Sequence, residues 1–345
     1  MLLVGDINAS LQAGGLQFLL EKMAPELRQG DIVYGNLEFA ITDRGQLVRS
    51  KNWTDGIANR SMKPADVGAL TSAGIHVMSL ANNHLMDFGP EGLFQTIELL
   101  DGQGIAHCGG GENLSQARKP AFIERNGLRV AFLSYTSVFA ASFPATKDRP
   151  GVATVRVQTS YTPHPRHFEQ PGTPPVIANV PDPEHVAAMQ TDIRNARANA
   201  DLVVVSWHWG VSKRYQRVPY QTEMGRAAID AGASLIIGHH PHVLQGVEVY
   251  KKGVIFYSMG NFVFSLKPGG APPADRNALL IDCEIDKTGI CGMTLRPVQV
   301  NTDLQPELVT GKHATRCLDA LIRDSEEFAT SFRDHGGNLE LVLGG

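Results

Sequence analysis

The chain has 345 residues and a formal net charge of −4; 43% of its residues are hydrophobic and 19% are charged. This composition supports a sizeable folded core and excludes an intrinsically disordered chain. The mildly acidic balance gives no indication of a nucleic-acid-binding surface. The four cysteines lack metal-ribbon or CxxC spacing, so we expect them to be reduced thiols, as in a cytoplasmic protein.

The sequence contains no membrane segment, because no apolar run approaches the roughly 20 residues that span a bilayer. Residues 1–5 already have the pattern of a strand, and no charged and then apolar leader precedes them. We therefore expect a cytoplasmic location. A chain from which a leader had been removed would have the same sequence.

Short apolar strands alternate with helices along the chain. The predicted strands are Leu2–Gly5, Asp31–Tyr34, His76–Leu80, Arg129–Tyr135, Leu202–Ser206, Leu235–Ile237 and Val254–Ser258. The predicted helices are Leu16–Leu27, Pro64–Ala73, Pro90–Leu100, Pro183–Ala200, Tyr220–Ala231 and a C-terminal helical segment at about 312–333. The strands are apolar without strict alternation, as expected when both faces of a sheet are buried. This order of elements predicts an α/β fold, with one domain over residues 1–345.

One stretch, residues 159–183, interrupts this alternation and is rich in proline. We predict a loop insertion there, because it is long and has no periodicity. A functional loop or lid and a surface excursion without a role are equally compatible with this pattern. His164, Arg166 and His167 lie within it and are candidates for contact with a substrate.

Polar residues with metal-ligand chemistry follow five of the predicted strands. They are Asp6, Glu38, Asn82, Asn83, His84, His208, His239, His240 and His242. In open α/β sheets the carboxyl ends of the strands form the ligand crevice, so these side chains are expected to meet at one edge. Carboxylate, amide and imidazole donors together indicate a site for a divalent ion such as Mn, Fe or Zn. With six or more ligands, two closely spaced ions are expected.

Each candidate ligand also has an ordinary structural explanation. Asp6 could cap a helix, and Glu38 could be a surface carboxylate. His208 stands between two tryptophans and could be a packed, hydrogen-bonded imidazole. The combination favours the metal site, because core histidines have no reason to collect at the ends of strands.

Six sequence motifs in order resemble the CapA family of capsule or poly-γ-glutamate synthesis proteins, a branch of the calcineurin-like metallophosphoesterases. The motifs are Gly5-Asp6, Asn36-Leu-Glu38, Ser79-Leu-Ala-Asn-Asn-His84 with Asp87-Phe-Gly89, His208-Trp-Gly210, Gly238-His-His-Pro-His-Val243 and Tyr257-Ser-Met-Gly-Asn-Phe262. The resemblance implies a four-layer αββα sandwich with the metal site at the C-terminal ends of the strands.

The resemblance also implies roles for individual residues. One ion would be held by Asp6, Glu38 and His242. The second ion would be held by Glu38, Asn83, His208 and His240, so that Glu38 bridges the pair. His84 would face the substrate as general acid or oxyanion stabiliser, oriented by Asp87. His239 lies outside the matched spacing and would be a structural residue or a supporting residue behind the ligands.

Two positions depart from the wider superfamily. Asn8 stands where a histidine ligand usually follows the first aspartate, so the first ion is expected to be held weakly. Asn36 stands where the bridging carboxylate usually follows glycine directly, and Glu38 comes two residues later. These departures leave open whether the site holds one ion or two.

The leading functional hypothesis is a metal-dependent hydrolase, specifically a phosphoesterase that uses a metal-bound hydroxide. The expected substrate is small and anionic or peptide-like. Arg60 and Lys63 could grip its charge, although they are equally explained as surface cations. One alternative is a hydrolase of amides or γ-glutamyl peptides, or a factor in poly-γ-glutamate (capsule) biosynthesis. Another is a non-catalytic scaffold in polymer synthesis or export.

Overall fold

The computed structural model describes residues 1–9, 15–48, 61–264 and 276–343. The strands within these residues are β1 (Leu2–Asn8), β2 (Val33–Leu37), β3 (Val77–Ser79), β4 (Ala106–Cys108), β5 (Gly110–Gly111), β6 (Ala121–Arg125), β7 (Leu128–Thr136), β8 (Gly151–Val152), β9 (Val157–Thr162), β10 (Val176–Pro181), β11 (Leu202–His208), β12 (Leu235–His239), β13 (Val247–Tyr250), β14 (Gly253–Phe256), β15 (Asn261–Phe264), β16 (Asn277–Asp286), β17 (Gly289–Val300), β18 (Pro306–Leu308), β19 (Phe332–His335) and β20 (Asn338–Leu341). The helices are α1 (Gly15–Leu20), α2 (Ala24–Leu27), α3 (Val67–Ser72), α4 (Gly89–Gly102), α5 (Leu114–Ala117), α6 (Pro183–Arg197), α7 (Pro219–Asp230) and α8 (Gly311–Ser325).

Two large sheets organise the described residues. The larger has the strand order β19-β20-β17-β16-β1-β2-β3-β4, with β15 also paired to β1 and β18 to β17. The smaller has the order β13-β14-β12-β11-β7-β6. In the first sheet β1, β2 and β3 run parallel, and in the second β7, β11, β12 and β14 run parallel. The carboxyl ends of the parallel strands therefore lie together at one edge of each sheet. The mixed α/β fold predicted from the alternation is confirmed.

Three apolar clusters hold these elements together. One cluster joins residues of both large sheets, such as Leu3 on β1 and Val204 on β11. A second contains the opposite face of the first sheet with α1, α3 and α4, and a third contains the opposite face of the second sheet with α6 and α7. Full burial of one large aliphatic or aromatic side chain stabilises a fold by about 1.5–3 kcal/mol. The strands that carry the candidate ligands are therefore anchored on both faces.

The loop predicted over residues 159–183 is confined to residues 163–175, and both its ends are strands. The strands β9 and β10 pair antiparallel from Val157 with Pro181 to Thr162 with Val176, so this segment is largely a β-hairpin. Most of its prolines lie in the connection between the strands or at their ends, where a missing N–H does not disturb the ladder. The residues of the ladder itself are rich in Thr, Val, Ile and Tyr, which favour strands.

Two predicted helices are shorter than the sequence pattern indicated. Leu16–Leu27 is divided into α1 and α2, and Pro25 lies in the first turn of α2, where its missing N–H is tolerated. The C-terminal helical segment predicted at about 312–333 forms α8, which ends at Ser325, and a short 3-10 helix over Glu326–Phe328. The last residues of the predicted segment belong to the strand β19, which pairs with β20. The periodicity of residues 312–333 could not predict this pairing, because the partner strand β20 lies outside that range.

Candidate metal site

The candidate ligands lie at neighbouring strand ends because of the register of the sheets. Asp6 on β1 is level with Asn36 on β2 and with Asn261 on β15. In the second sheet His208, the last residue of β11, is level with His239, the last residue of β12. Parallel pairing thus delivers residues that are far apart in sequence to the same edge, as predicted from the pattern of strand ends.

Two glycines before the ligands permit close approach of neighbouring backbones. A Cβ atom on Gly5 would lie 2.1 Å from the carbonyl oxygen of Gly260, and one on Gly238 would lie 2.1 Å from that of Tyr257. No side chain can be accommodated at such distances without moving the backbone. The glycines of the Gly-Asp and Gly-His-His motifs therefore allow β1 to approach the backbone at Gly260 and β12 to approach the backbone at Tyr257.

Asp6, Glu38 and His242 form a cluster that could hold a metal ion. One donor atom from each residue lies within 4.8 Å of the others. Asp6 Oδ2 lies 3.5 Å from His242 Nδ1, and Glu38 Oε1 lies 3.6 Å from His242 Nε2. Both carboxylates are almost completely buried, which would be costly without a positive partner. Two carboxylates and one imidazole match the donor set expected for a first-row divalent ion, so these residues fit the predicted ion.

The charges in this cluster support one another. Burial alone would raise the pKa of the Asp6 carboxyl, but interactions with His239 and then His242 outweigh it and hold that pKa well below its usual value. Burial alone would lower the pKa of His242, but the charge of Glu38 and contacts with Asp6 raise it to about 9. The imidazolium thus takes the place of a cation in the metal-free protein. A bound ion must displace its proton.

A second group of predicted ligands surrounds His208. Its Nε2 lies 2.8 Å from Asn83 Oδ1 and 4.0 Å from Glu38 Oε1, and its ring centroid lies 4.9 Å from that of His240. Burial, together with the charge of His240, lowers the pKa of His208 well below its ordinary value. His208 is therefore a neutral imidazole, which is the form that binds metals. Glu38 Oε1 thus lies within 4.0 Å of both His208 and His242, and its bridging role stays a prediction.

His84 contacts Asp87, the residue expected to orient it, and the catalytic role of the pair stays a prediction. His84 Nδ1 lies 2.7 Å from Asp87 Oδ2, and the two side chains are almost completely buried. The ring of Phe39 packs against His84 with centroids 4.2 Å apart. Asn82, a candidate ligand in the sequence, holds this loop. Its Oδ1 accepts hydrogen bonds from the backbone N–H groups of His84 and Leu85.

The structure treats the remaining candidates differently. Lys63 is exposed on the segment before α3, and Arg60 lies outside the described residues. His164, Arg166 and His167 lie on the connection of the β9–β10 hairpin and contact one another. His167 Nδ1 is 2.7 Å from the carbonyl oxygen of His164, and the backbone N–H of Arg166 donates to His164 Nδ1. Their expected role in substrate contact therefore stays a prediction.

Sequence reasoning missed several residues that support the ligands. Asn36 donates a hydrogen bond from Nδ2 to Asp6 Oδ1 at 2.8 Å, and Asn261 Oδ1 lies 2.9 Å from His242 Nδ1. Both residues lie inside the recognised motifs, which was the available signal for a role in the site. Tyr34, by contrast, contacts His239 with its hydroxyl group and gave no signal, because it has the pattern of an ordinary core residue.

Among the residues that the structure describes, no helix is long and apolar enough to cross a bilayer. The cytoplasmic location stays a prediction.

Comparison with known proteins gives related sequences over most of the chain. The chain is 35% identical over 272 residues to the capsule biosynthesis protein CapA of Bacillus anthracis, covering 76% of this chain and 59% of that protein. It is 31% identical over 290 residues to the PGA biosynthesis protein CapA of Bacillus subtilis, covering 83% and 66%. It is 31% identical over 253 residues to a probable polyglutamine synthesis accessory protein of Mycobacterium tuberculosis, covering 72% and 60%.

The chain thus spans between 59% and 66% of the length of these three relatives. A family model described as bacterial capsule synthesis protein PGA_cap matches residues 1–266, a range that includes all the candidate ligands. This match confirms the resemblance inferred from the motifs. The chain belongs to the bacterial capsule synthesis protein family PGA_cap.

Proposed function

We propose that this chain is a metal-dependent hydrolase, most specifically a phosphoesterase, whose site lies at the strand ends around Glu38. The observation that carries the proposal is the buried cluster of Asp6, Glu38 and His242, whose donor atoms lie within 4.8 Å of one another. The adjacent pair of His84 and Asp87 supports it, because a metal site that only stabilises the fold has no need of an oriented histidine. The four-layer αββα arrangement of metallophosphoesterases is part of this proposal, and the three apolar clusters support it.

The ligands would be divided between two ions in this proposal. Asp6, Glu38 and His242 would hold one ion, while Asn83, His208 and His240 would hold the second with Glu38. Such ions, when bound, lower the pKa of a coordinated water and neutralise charge on the substrate. The ions would be Mn, Fe or Zn, which accept this mixture of oxygen and nitrogen donors.

His84 would act on the leaving group. Its Nδ1 faces Asp87, so its Nε2 is the nitrogen directed away from that carboxylate. Asp87 would keep the ring in one orientation and stabilise its protonated form, which can donate a proton from Nε2 to the departing oxygen. Phe39 restricts rotation of the ring. Removal of the His84 side chain should therefore reduce turnover much more than it reduces metal binding.

A second candidate is hydrolysis of a γ-glutamyl amide at the same site. It is favoured by the names of the relatives, which refer to capsule, PGA and polyglutamine synthesis. A dinuclear site can also polarise a carbonyl group, so the same ligands would serve either reaction. A third candidate, a scaffold in polymer synthesis, is favoured by the word accessory in the name of the mycobacterial relative.

The test combines metal content with activity. The purified chain is loaded with Mn²⁺, its bound metal is measured, and nitrophenyl phosphate, bis-nitrophenyl phosphate and γ-glutamyl nitroanilide are offered as substrates. We expect metal uptake and hydrolysis of a phosphoester, with both lost in the Glu38→Ala/His242→Ala double variant. Hydrolysis of the γ-glutamyl amide alone would support the second candidate instead.

A matched control uses a similar pair away from the site. His335 Nε2 and Glu340 Oε2 lie 2.8 Å apart on the β19–β20 hairpin, and His335 is exposed. The His335→Ala/Glu340→Ala variant should keep the metal content and activity of the original chain. A protein that binds metal but hydrolyses none of the substrates would contradict the enzyme proposal and favour the scaffold. The cytoplasmic location stays a prediction that fractionation of the source cells would check.

A further inference from the structure

A network of buried hydroxyl groups lies behind the candidate metal site and is connected to Asp6 through His239. His239 Nδ1 lies 2.9 Å from Asp6 Oδ1, and its Nε2 lies 3.0 Å from the hydroxyl oxygen of Tyr34. Tyr34 donates to Ser206 Oγ at 2.6 Å, and Ser206 donates to Ser79 Oγ at 3.0 Å. All these side chains are buried. The metal-ligand roles assigned above do not use any of the three hydroxyl groups.

This hydroxyl network joins the two large sheets. Tyr34 and Ser79 lie on β2 and β3 of the first sheet, whereas Ser206 and His239 lie on β11 and β12 of the second. Buried polar groups destabilise a protein unless they are hydrogen-bonded. Apolar side chains would pack between the two sheets without this requirement, so we expect the buried network to have a function. Because the network ends at Asp6, a candidate metal ligand, we expect that function to concern the metal site.

The two oxygens of Asp6 have different surroundings. Oδ1 accepts a hydrogen bond from Asn36 Nδ2 at 2.8 Å and lies 2.9 Å from His239 Nδ1, a close polar contact without hydrogen-bond geometry. Oδ2 accepts no hydrogen bond from the described residues and lies 3.5 Å from His242 Nδ1, on the side of the ion cluster. The protein thus fixes one oxygen from behind and presents the other to the ion.

We propose that His239 is a positioning residue that orients Asp6 for metal binding and is itself held by the hydroxyl of Tyr34. His239 would touch neither the ion nor the substrate. The proposal rests on the proposed function, since it needs an ion at the cluster of Asp6, Glu38 and His242. Removal of a residue that orients a metal ligand typically lowers metal affinity by about 10–100-fold.

The test is the dissociation constant for Mn²⁺, measured by calorimetry on folded, metal-free protein. His239→Leu removes both polar contacts of the imidazole and should raise the dissociation constant by about 10–100-fold. His239→Asn places an amide near the position of Nδ1 and should recover part of that loss. An unchanged dissociation constant in His239→Leu would overturn the proposal. Abolition of binding, to the extent seen in Glu38→Ala, would also overturn it by making His239 a ligand.

A milder variant covers the case in which His239→Leu does not fold. Tyr34→Phe removes one hydroxyl and should raise the dissociation constant several-fold. Its matched control is Tyr135→Phe, which removes another buried tyrosine hydroxyl, one that donates to Asp192 Oδ2 at 2.8 Å. That control should leave metal affinity unchanged. Equal affinities in the two phenylalanine variants would contradict the positioning role.

Glu38→Ala separates this inference from the proposed function. If the original chain binds Mn²⁺ and Glu38→Ala abolishes that binding, the ion site stands, and the variants of His239 and Tyr34 judge the positioning role alone. If the original chain binds no Mn²⁺, the proposed function and this inference fall together.

Discussion

Two of the histidines at the candidate site have backbone conformations that few residues other than glycine adopt. The φ angle is 91° at His240 and 59° at His242. The strand β12 ends at His239, and the chain then turns sharply, so that the imidazole of His242 lies near Glu38 and that of His240 lies near His208. Such conformations cost on the order of 1–3 kcal/mol each and are concentrated at functional sites. The sequence indicated His240 and His242 as candidate ligands, but the strain became visible only in the folded backbone.

This strain gives a prediction for position 240. Glycine is normally the less stable choice relative to alanine, because it is more flexible in the unfolded chain. At a position with φ of 91° we expect the reverse, with His240→Gly about 1 kcal/mol more stable than His240→Ala. Denaturant unfolding of the metal-free proteins measures the difference. Both variants should lose the second ion of the proposed function, and greater stability of the alanine variant would contradict the argument.

The supporting residues show why part of the site could not be predicted from the sequence. Tyr34 and His239 are 205 positions apart, yet their side chains meet at 3.0 Å. A single sequence contains no signal for a contact over such a separation. The candidate ligands could be proposed from the sequence because they are unusual residue types at strand ends, whereas Tyr34 has the ordinary pattern of a core aromatic residue.

At the level of elements, the strand β12 depends on a glycine just before its ligands. A Cβ at Gly238 would clash with the backbone of the neighbouring chain segment at Tyr257, so Gly238→Ala must displace one of them. We expect a loss of stability of about 1–3 kcal/mol together with weaker metal retention. A matched control is Gly68→Ala in α3, where nothing lies within 4 Å of the added Cβ. That helical substitution should stabilise the protein by about 0.5–1 kcal/mol, and equal effects of the two alanines on unfolding would refute the packing argument.

A second prediction at this level concerns the pairing of β2 with β3 at acidic pH. His76 Nδ1, just before β3, accepts a hydrogen bond from the backbone N–H of Val33 at 3.1 Å. Burial, followed by the charge of Arg125, lowers the pKa of His76 in the folded protein below its usual 6.5. The unfolded chain therefore binds the proton more readily, so folding stability should fall as the pH drops below about 6.5 and level off below the folded pKa.

Denaturant unfolding at pH 5 and pH 7.5 measures this effect. The His76→Gln variant, which cannot titrate, should show a smaller difference in stability between the two pH values. An identical pH dependence in the original chain and the variant would exclude His76 as the cause. The measurement is made on metal-free protein, so that metal binding does not contribute to the difference.

The predictions of secondary structure succeeded for strands that are buried and failed for strands that are exposed and held by pairing with a neighbour. All seven predicted strands overlap observed strands, because apolar runs between polar loops are a strong signal of buried strands. The β9–β10 hairpin was missed because both its strands are largely exposed and carry no apolar alternation. Its proline content then dominated the prediction, although the prolines lie mainly outside the ladder.

At the scale of the whole molecule, the order of the motifs along the chain is what linked the site to a family. Each motif alone is compatible with a cap, a turn or a packed histidine. Their succession at the ends of parallel strands, from Asp6 to Asn261, explains why one family model covers residues 1–266. Family membership does not by itself establish the reaction, so the ion at the strand ends is the central claim of the proposed function.

Crystals grown with Mn²⁺ test that claim most directly, with diffraction data collected at an energy where manganese scatters anomalously. We predict an anomalous peak within about 2.0–2.3 Å of Asp6 Oδ2, a Glu38 carboxylate oxygen and one nitrogen of His242. Crystals of the Glu38→Ala/His242→Ala variant should lack this peak. A map with no peak among these three side chains, or with manganese bound only elsewhere, would contradict the account.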